Sequence, residues 1–136
     1  MNVVVVGGGK VGSNLARMLG AESHAVTLVE IDRAKCGVLR PALPNIRVMC
    51  GDGDEPSVLE DADVRASDVV VAATGDDEDN LVVCLLAKFE YGVLHTMARV
   101  NNPKNEWLFG ERFGVDVPVS QTSMIANLLR EHVPAE

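Results

Sequence analysis

Four consecutive valines, Val3 to Val6, run straight into Gly7-Gly8-Gly9-Lys10-Val11-Gly12. A β-branched run of this kind fits a strand buried on both faces. Directly after the turn, Val11, Leu15, Met18 and Leu19 recur at helical spacing. A strand, a Gly7-x-Gly9-x-x-Gly12 turn and a helix, in that order, confine the chain to a βαβ unit with a phosphate-binding turn. Gly7 permits the tight exit from the strand. Gly9 has no Cβ, so a pyrophosphate can approach the backbone, and Gly12 lets the helix lie close on the sheet. Gly8, Lys10 and Val11 complete the turn. The first N–H groups of the helix have no intrahelical partner and favour an anion.

The same rhythm continues along all 136 residues. Strands are expected at Val26 to Ile31, Ile46 to Cys50, Asp68 to Ala73, Leu94 to Val100 and Val115 to Val119. Helices are expected at Arg33 to Leu39, ended by Pro41 and Pro44, and at Asp54 to Asp61, with Pro56 in its first turn. A longer helix spans Asp79 to Tyr91 and stops at Gly92. Asn102-Pro103 reads as a cap and first residue, opening a helix that reaches Phe113 and stops at Gly114. Ser120 caps a last helix ending near His132. The β-α unit repeated six times predicts an α/β, Rossmann-like, doubly wound six-stranded parallel sheet with helices on both faces. The length suits one domain, typically ~100–150 residues. It leaves no room for a second, substrate-binding domain.

Glu30 closes the second strand, at roughly the 20-residue separation from the glycine turn at which a carboxylate meets ribose hydroxyls. A carboxylate there repels a 2′-phosphate, which favours NAD(H) or an adenosine nucleotide over NADP. Ile31 flanks it. Asp32 shares the ribose role or caps the next helix, and Arg33 is a cation that accommodates a 2′-phosphate. Three more strand ends carry small or polar residues: Asp52-Gly53, Thr74-Gly75, and Arg99 before Asn101. In an open parallel sheet these ends line the ligand crevice. Arg99 either binds phosphate there or pairs with a buried acid. The run Asp76-Asp77-Glu78-Asp79 complements a helix N-terminus or offers oxygens to a divalent cation, and the solvated reading is favoured.

Twelve basic against twenty acidic residues give a formal charge of −8, with no Lys/Arg cluster. That excludes nonspecific binding to nucleic acid or to an anionic membrane face. The three cysteines, Cys36, Cys50 and Cys84, have no CxxC spacing. They fit reduced thiols in a reducing cytosol rather than zinc or a disulfide framework. No run approaches the ~20 apolar residues that span a bilayer. His24, His95 and His132 are scattered, and no nucleophile motif or Walker motif is present. No catalytic residue is assigned. Met124, Ile125, Leu128 and Leu129 form one stripe on the last helix. The stripe docks on the chain's own sheet or pairs with a second subunit.

In combination, Val5 to Gly12, Val29-Glu30-Ile31-Asp32, Gly51-Asp52, Ala73-Thr74-Gly75-Asp76-Asp77-Glu78-Asp79-Asn80-Leu81 and Ala98-Arg99-Val100-Asn101-Asn102-Pro103 resemble the TrkA-N domain, also called the RCK N-lobe or KTN. Such domains are cytosolic regulators of potassium channels and potassium-uptake transporters. The resemblance implies a nucleotide lobe over residues 1–119 and a crossover helix over 120–136. It implies NAD(H), ATP, ADP or AMP as an effector held by Gly7, Gly9, Gly12, Glu30, Asp52, Thr74 and Gly75, with Arg99 as a further contact. It also implies a homodimer or higher ring through the last helix, and a membrane potassium channel or transporter subunit as partner. The protein would then be cytoplasmic, or peripheral at the inner membrane face through that pore. Many members carry a second, smaller lobe after the crossover helix; here the missing domain is expected from a partner chain or pore. The alternative reading is a fragment or subunit of an NAD-dependent oxidoreductase.

Overall fold

The apolar runs pair into one sheet. In the computed structural model, which describes residues 1–133, six parallel strands lie in the order β3-β2-β1-β4-β5-β6. They are β1 (Asn2–Val6), β2 (Ala25–Glu30), β3 (Arg47–Cys50), β4 (Val69–Ala72), β5 (His95–Val100) and β6 (Val117–Ser120). Between them run α1 (Lys10–Ala21), α2 (Arg33–Ala42), α3 (Pro56–Asp61) and α4 (Asp77–Leu85). α5 (Gln121–His132) follows β6. Strands β1 to β3 wind one way and β4 to β6 the other, so the direction reverses between the paired strands β1 and β4. Crevices for ligands form at such a reversal.

The continuous valine run has a direct explanation. Val3 and Val5 belong to one core with Ala16, Val26, Leu28 and Leu43. Val4 and Val6 belong to the other, with Val29, Leu59, Val70, Val83, Cys84 and Val100. All four valines are buried. Each contributes ~1.5–3 kcal/mol relative to exposure, and a charge at Val5 would break the layer that α1 covers.

Several boundaries differ from the sequence expectation. α2 continues through Pro41 to Ala42. Pro41 sits in the last turn, where its absent N–H removes a single bond, and Leu43 closes that turn through its N–H to the Leu39 carbonyl (2.8 Å). α3 starts at Pro56 rather than Asp54, because Asp52 draws the Asp54 N–H into a turn (2.9 Å). α4 starts at Asp77, two residues early, since the Asp76 carboxylate caps the Asp79 N–H (3.0 Å). Its continuation, Leu86–Glu90, is a π-helical turn, and Gly92 just beyond it takes φ +68°.

The helix expected from Pro103 to Phe113 is instead two 3₁₀ segments, Pro103–Leu108 and Glu111–Phe113. Asn102 does cap the first, accepting from the Lys104 N–H (3.0 Å). Phe109 is then drawn into the core and Gly110 is extended, so no helix can pass through. The last helix forms as expected, with Ser120 Oγ accepting from the Ser123 N–H (3.3 Å). Its stripe does not dock on the sheet: α5 buries no residue, and Met124, Ile125, Leu128 and Leu129 are each more than half exposed. Residues 134–136 of the expected 120–136 segment lie outside the described residues.

Candidate functional site: a crevice at the strand ends

The carboxyl ends of the central strands open into a cavity of about 430 Å³. Its floor is the glycine turn. Gly7 leaves β1 at φ +110° and donates its N–H to the Val29 carbonyl (2.8 Å). Gly12 lies beneath, so close that a Cβ there would stand 1.7 Å from the Gly7 carbonyl oxygen. Gly9 is the N-terminal residue preceding α1, and no side chain caps the helix. Open space surrounds the position a Gly9 Cβ would take. The first turn of α1 therefore presents free N–H groups next to the cavity.

Glu30 forms the adjoining wall and is 6 % exposed. One carboxylate oxygen accepts from the Gly8 N–H (2.8 Å), the other from the Asp32 N–H (2.7 Å). These bonds fix its orientation, and a carboxylate retains acceptor sites for further donors. Ile31 beside it is exposed at the rim. On the opposite side, Thr74 is held by Asn80. The Thr74 N–H and hydroxyl both donate to Asn80 Oδ1 (3.0 and 2.7 Å), and Asn80 Nδ2 donates to the carbonyls of Thr74 and Arg99 (3.0 and 2.9 Å).

Of the residues expected at the site, Gly7, Gly8, Gly9, Glu30, Ile31, Asp52, Gly53, Thr74, Gly75 and Arg99 line this cavity. Lys10, Val11, Gly12, Asp32 and Arg33 do not. Gly12 acts from underneath, as a close-packing position. Asp32 spends its carboxylate capping α2, accepting from Ala34 and Lys35 N–H (2.8 and 3.3 Å). Arg33 opens α2 away from the wall, and Lys10 faces a neighbouring cavity of about 540 Å³ with Ser13, Val38 and Leu39. Arg99 forms no ion pair among the described residues and faces the crevice.

Four polar wall residues lie outside the set expected at the site: Lys35, Asp54, Asp76 and Asp79. Lys35 comes from the first turn of α2, one turn past the capping Asp32, and that position was the available signal. The carboxylates gather because the loop after β3 meets the N-terminus of α4. Burial, then hydrogen bonding to Asp79 and the charges of Asp79, Asp52 and Asp76, push Asp54 up to about 7. Asp77 behaves oppositely. Burial works against its charge, but the N–H groups of Asn101 and Asn102 and the Asn105 amide outweigh it and hold the carboxyl below its usual range. No group of three His, Cys, Asp or Glu side chains suited to a metal occurs among the described residues.

Known proteins are similar to this chain in sequence and in fold. The family model for the TrkA-N domain matches residues 3–121. The chain belongs to the TrkA-N domain family. Among curated relatives, the Trk system potassium uptake protein TrkA of Mycobacterium tuberculosis is 46 % identical over 133 residues, 98 % of this chain and 60 % of that protein. The chain thus spans about three fifths of the length of the relatives it matches first. Among solved structures, the TrkA-N domain of inner membrane protein ybaL from Escherichia coli superposes with a TM-score of 0.84, at 18 % identity, over 97 % of this chain and 96 % of that one. The GsuK channel bound to NAD superposes with a TM-score of 0.80, at 21 % identity, over 94 % of this chain and 23 % of that one. In this TrkA-N domain the fold is therefore the expected Rossmann-like α/β sheet. No helix among its described residues is long and apolar enough to cross a membrane.

Proposed function

We propose that this TrkA-N domain is a cytosolic nucleotide-sensing regulator of a potassium channel or potassium-uptake transporter, with NAD(H) or an adenosine nucleotide (ATP, ADP or AMP) as effector. One observation carries the reading: the uncapped N-terminus of α1 and the fixed, buried Glu30 share one cavity. Free N–H groups suit a phosphate and a carboxylate suits ribose hydroxyls. Arg99 and Lys35 supply positive charge to the same space. Thr74, Gly75, Asp52 and Gly53 close it. The nucleotide acts here as an effector, and no bond is broken. It shifts the assembly by binding one arrangement more tightly than another.

Residues 1–119 serve as the nucleotide lobe and 120–136 as the crossover segment. The exposed stripe on α5 supports a homodimer or ring, assembled in the cytoplasm against a membrane pore subunit. The similarity to the Trk system potassium uptake protein TrkA and to the NAD-bound GsuK channel supports both the ligand class and the partner class. The test is calorimetry with NAD⁺, NADH, NADPH, ATP, ADP and AMP on the wild type and on Glu30→Ala. Saturable binding of an adenosine nucleotide, weakened by the substitution and unaccompanied by hydride transfer, is expected. Turnover of NADH with a substrate would instead establish the oxidoreductase alternative.

A further inference from the structure

Behind the Glu30 wall, two of the three cysteines bond to consecutive backbone carbonyls. Cys36, on α2, is 1 % exposed. Cys50 is the half-buried last residue of β3, and its backbone pairs in register with Glu30. The Cys36 thiol donates to the Glu30 carbonyl (3.3 Å) and the Cys50 thiol to the next carbonyl, that of Ile31 (3.9 Å). The two thiols thus bond to consecutive carbonyls of one chain segment, from α2 on one side and β3 on the other. Cys84 is separate, on the buried face of α4, with its thiol donating to the Met97 carbonyl (3.7 Å).

We propose that Cys36 and Cys50 form an oxidisable dithiol, a modification site for hydroperoxides placed directly behind the ribose-facing wall. Cys50 is the sulfur that solvent reaches. Its thiolate attacks one oxygen of the hydroperoxide: an S–O bond forms, the O–O bond breaks, and the departing oxygen leaves as alcohol or water with a proton. Cys36 Sγ then attacks the Cys50 sulfur. The S–S bond forms, the S–O bond breaks, and hydroxide leaves as water with the Cys36 proton. Two thiols are oxidised by two electrons and one peroxide is reduced. Burial, and then the neighbouring Cys50, push Cys36 up to about 11, so Cys36 is the thiol less able to initiate.

The bond has a consequence for the crevice. The Glu30 carbonyl accepts from both the Cys36 thiol and the Gly51 N–H (2.9 Å). Oxidation removes both thiol donors and ties α2, through Asp32 and Glu30 Oε2, to the strand that leads into Gly51 and Asp52. Nucleotide affinity falls. This second step rests on the function proposed above; the first does not.

The experiment treats the whole chain with hydrogen peroxide, counts thiols after denaturation, maps linked peptides by mass spectrometry, and measures NAD binding by calorimetry before and after. Two thiols should disappear into a Cys36–Cys50 link, Cys84 should stay free, and dithiothreitol should reverse the change. Cys50→Ser should leave Cys36 reduced under the same dose. NAD should bind about fivefold more weakly to the oxidised chain, the equivalent of one modest hydrogen bond. Three surviving thiols, a link involving Cys84, or over-oxidation of Cys50 without a link overturns the dithiol. A link with unchanged NAD affinity overturns the coupling. If neither form binds NAD, ATP, ADP or AMP, the nucleotide reading fails while the thiol count still decides the site.

Discussion

Replacing Asn80 by alanine should unsettle this domain more than any other single polar change. Its side chain is fully buried and makes four hydrogen bonds: two accepted from Thr74, one donated to the Thr74 carbonyl and one to the Arg99 carbonyl. A net ~1 kcal/mol for each bond, with partners left buried and unpaired, gives a loss of ~3–5 kcal/mol. A typical domain holds ~5–15 kcal/mol in total, so the variant would stand near the edge of folding. Urea unfolding of both proteins at equal slope measures the difference. Asn80→Asp sharpens the test. It keeps the acceptor for Thr74 but turns the amide into an oxygen facing two carbonyls, so near neutral pH it should be at least as unstable as the alanine variant. At acid pH the introduced carboxyl, once protonated, can donate one bond, and part of the loss should return. A loss under ~1 kcal/mol for Asn80→Ala, or wild-type stability in Asn80→Asp, would refute the view that this amide holds the crevice together.

Gly12→Ala places a Cβ 1.7 Å from the Gly7 carbonyl oxygen and should cost ~3 kcal/mol or more as α1 is forced off the sheet. Gly9→Ala meets nothing within 4 Å, so a thermal melt should find it stable while nucleotide binding is lost. Asp54 titrates near 7 when folded against an ordinary 3.8, so the folded state holds the extra proton between those values. Stability should therefore fall as pH rises through that window, with the full penalty present above about 7. Urea midpoints of Asp54→Asn should gain on the wild type across the same window; parallel curves would count against the shift. Leu128→Asp should lower the solution mass measured by light scattering if the α5 stripe pairs subunits. An unchanged mass, or a monomeric wild type, removes that role.

The β-α order was legible because β1, β2 and β4 are rich in β-branched residues and most turns end on Gly, Pro or a short polar cap. The valines of β1 reveal two cores only because neither face tolerates a polar residue. The segment from Pro103 to Phe113 misled for a physical reason. Its start at Asn102-Pro103 and its stop at Gly114 carried the helix reading, yet between them Phe109 is buried, Trp107 is exposed, and Gly110 is extended between two short turns. At the site, the glycine turn and Glu30 were readable from spacing within one βαβ unit. Asp54 and Asp79 were not, since their convergence depends on how the loop after β3 and α4 pack across the sheet. Arg99 had two readings from sequence, and its lack of an ionic partner among the described residues counts against pairing with a buried acid.

Every loop around the crevice is tied by a side chain: Gly8 by Glu30, Asp54 by Asp52, Thr74 by Asn80, and Asn101 by Asp77. The ordering entropy of these loops is spent when the chain folds, not when a small molecule arrives. An arriving molecule then has no segment to wait for, and its association rate should be set by diffusion and charge rather than by a closing motion. Such a cavity tracks a rapidly changing concentration, and any response it transmits must pass through rigid elements rather than through a loop that folds over the guest.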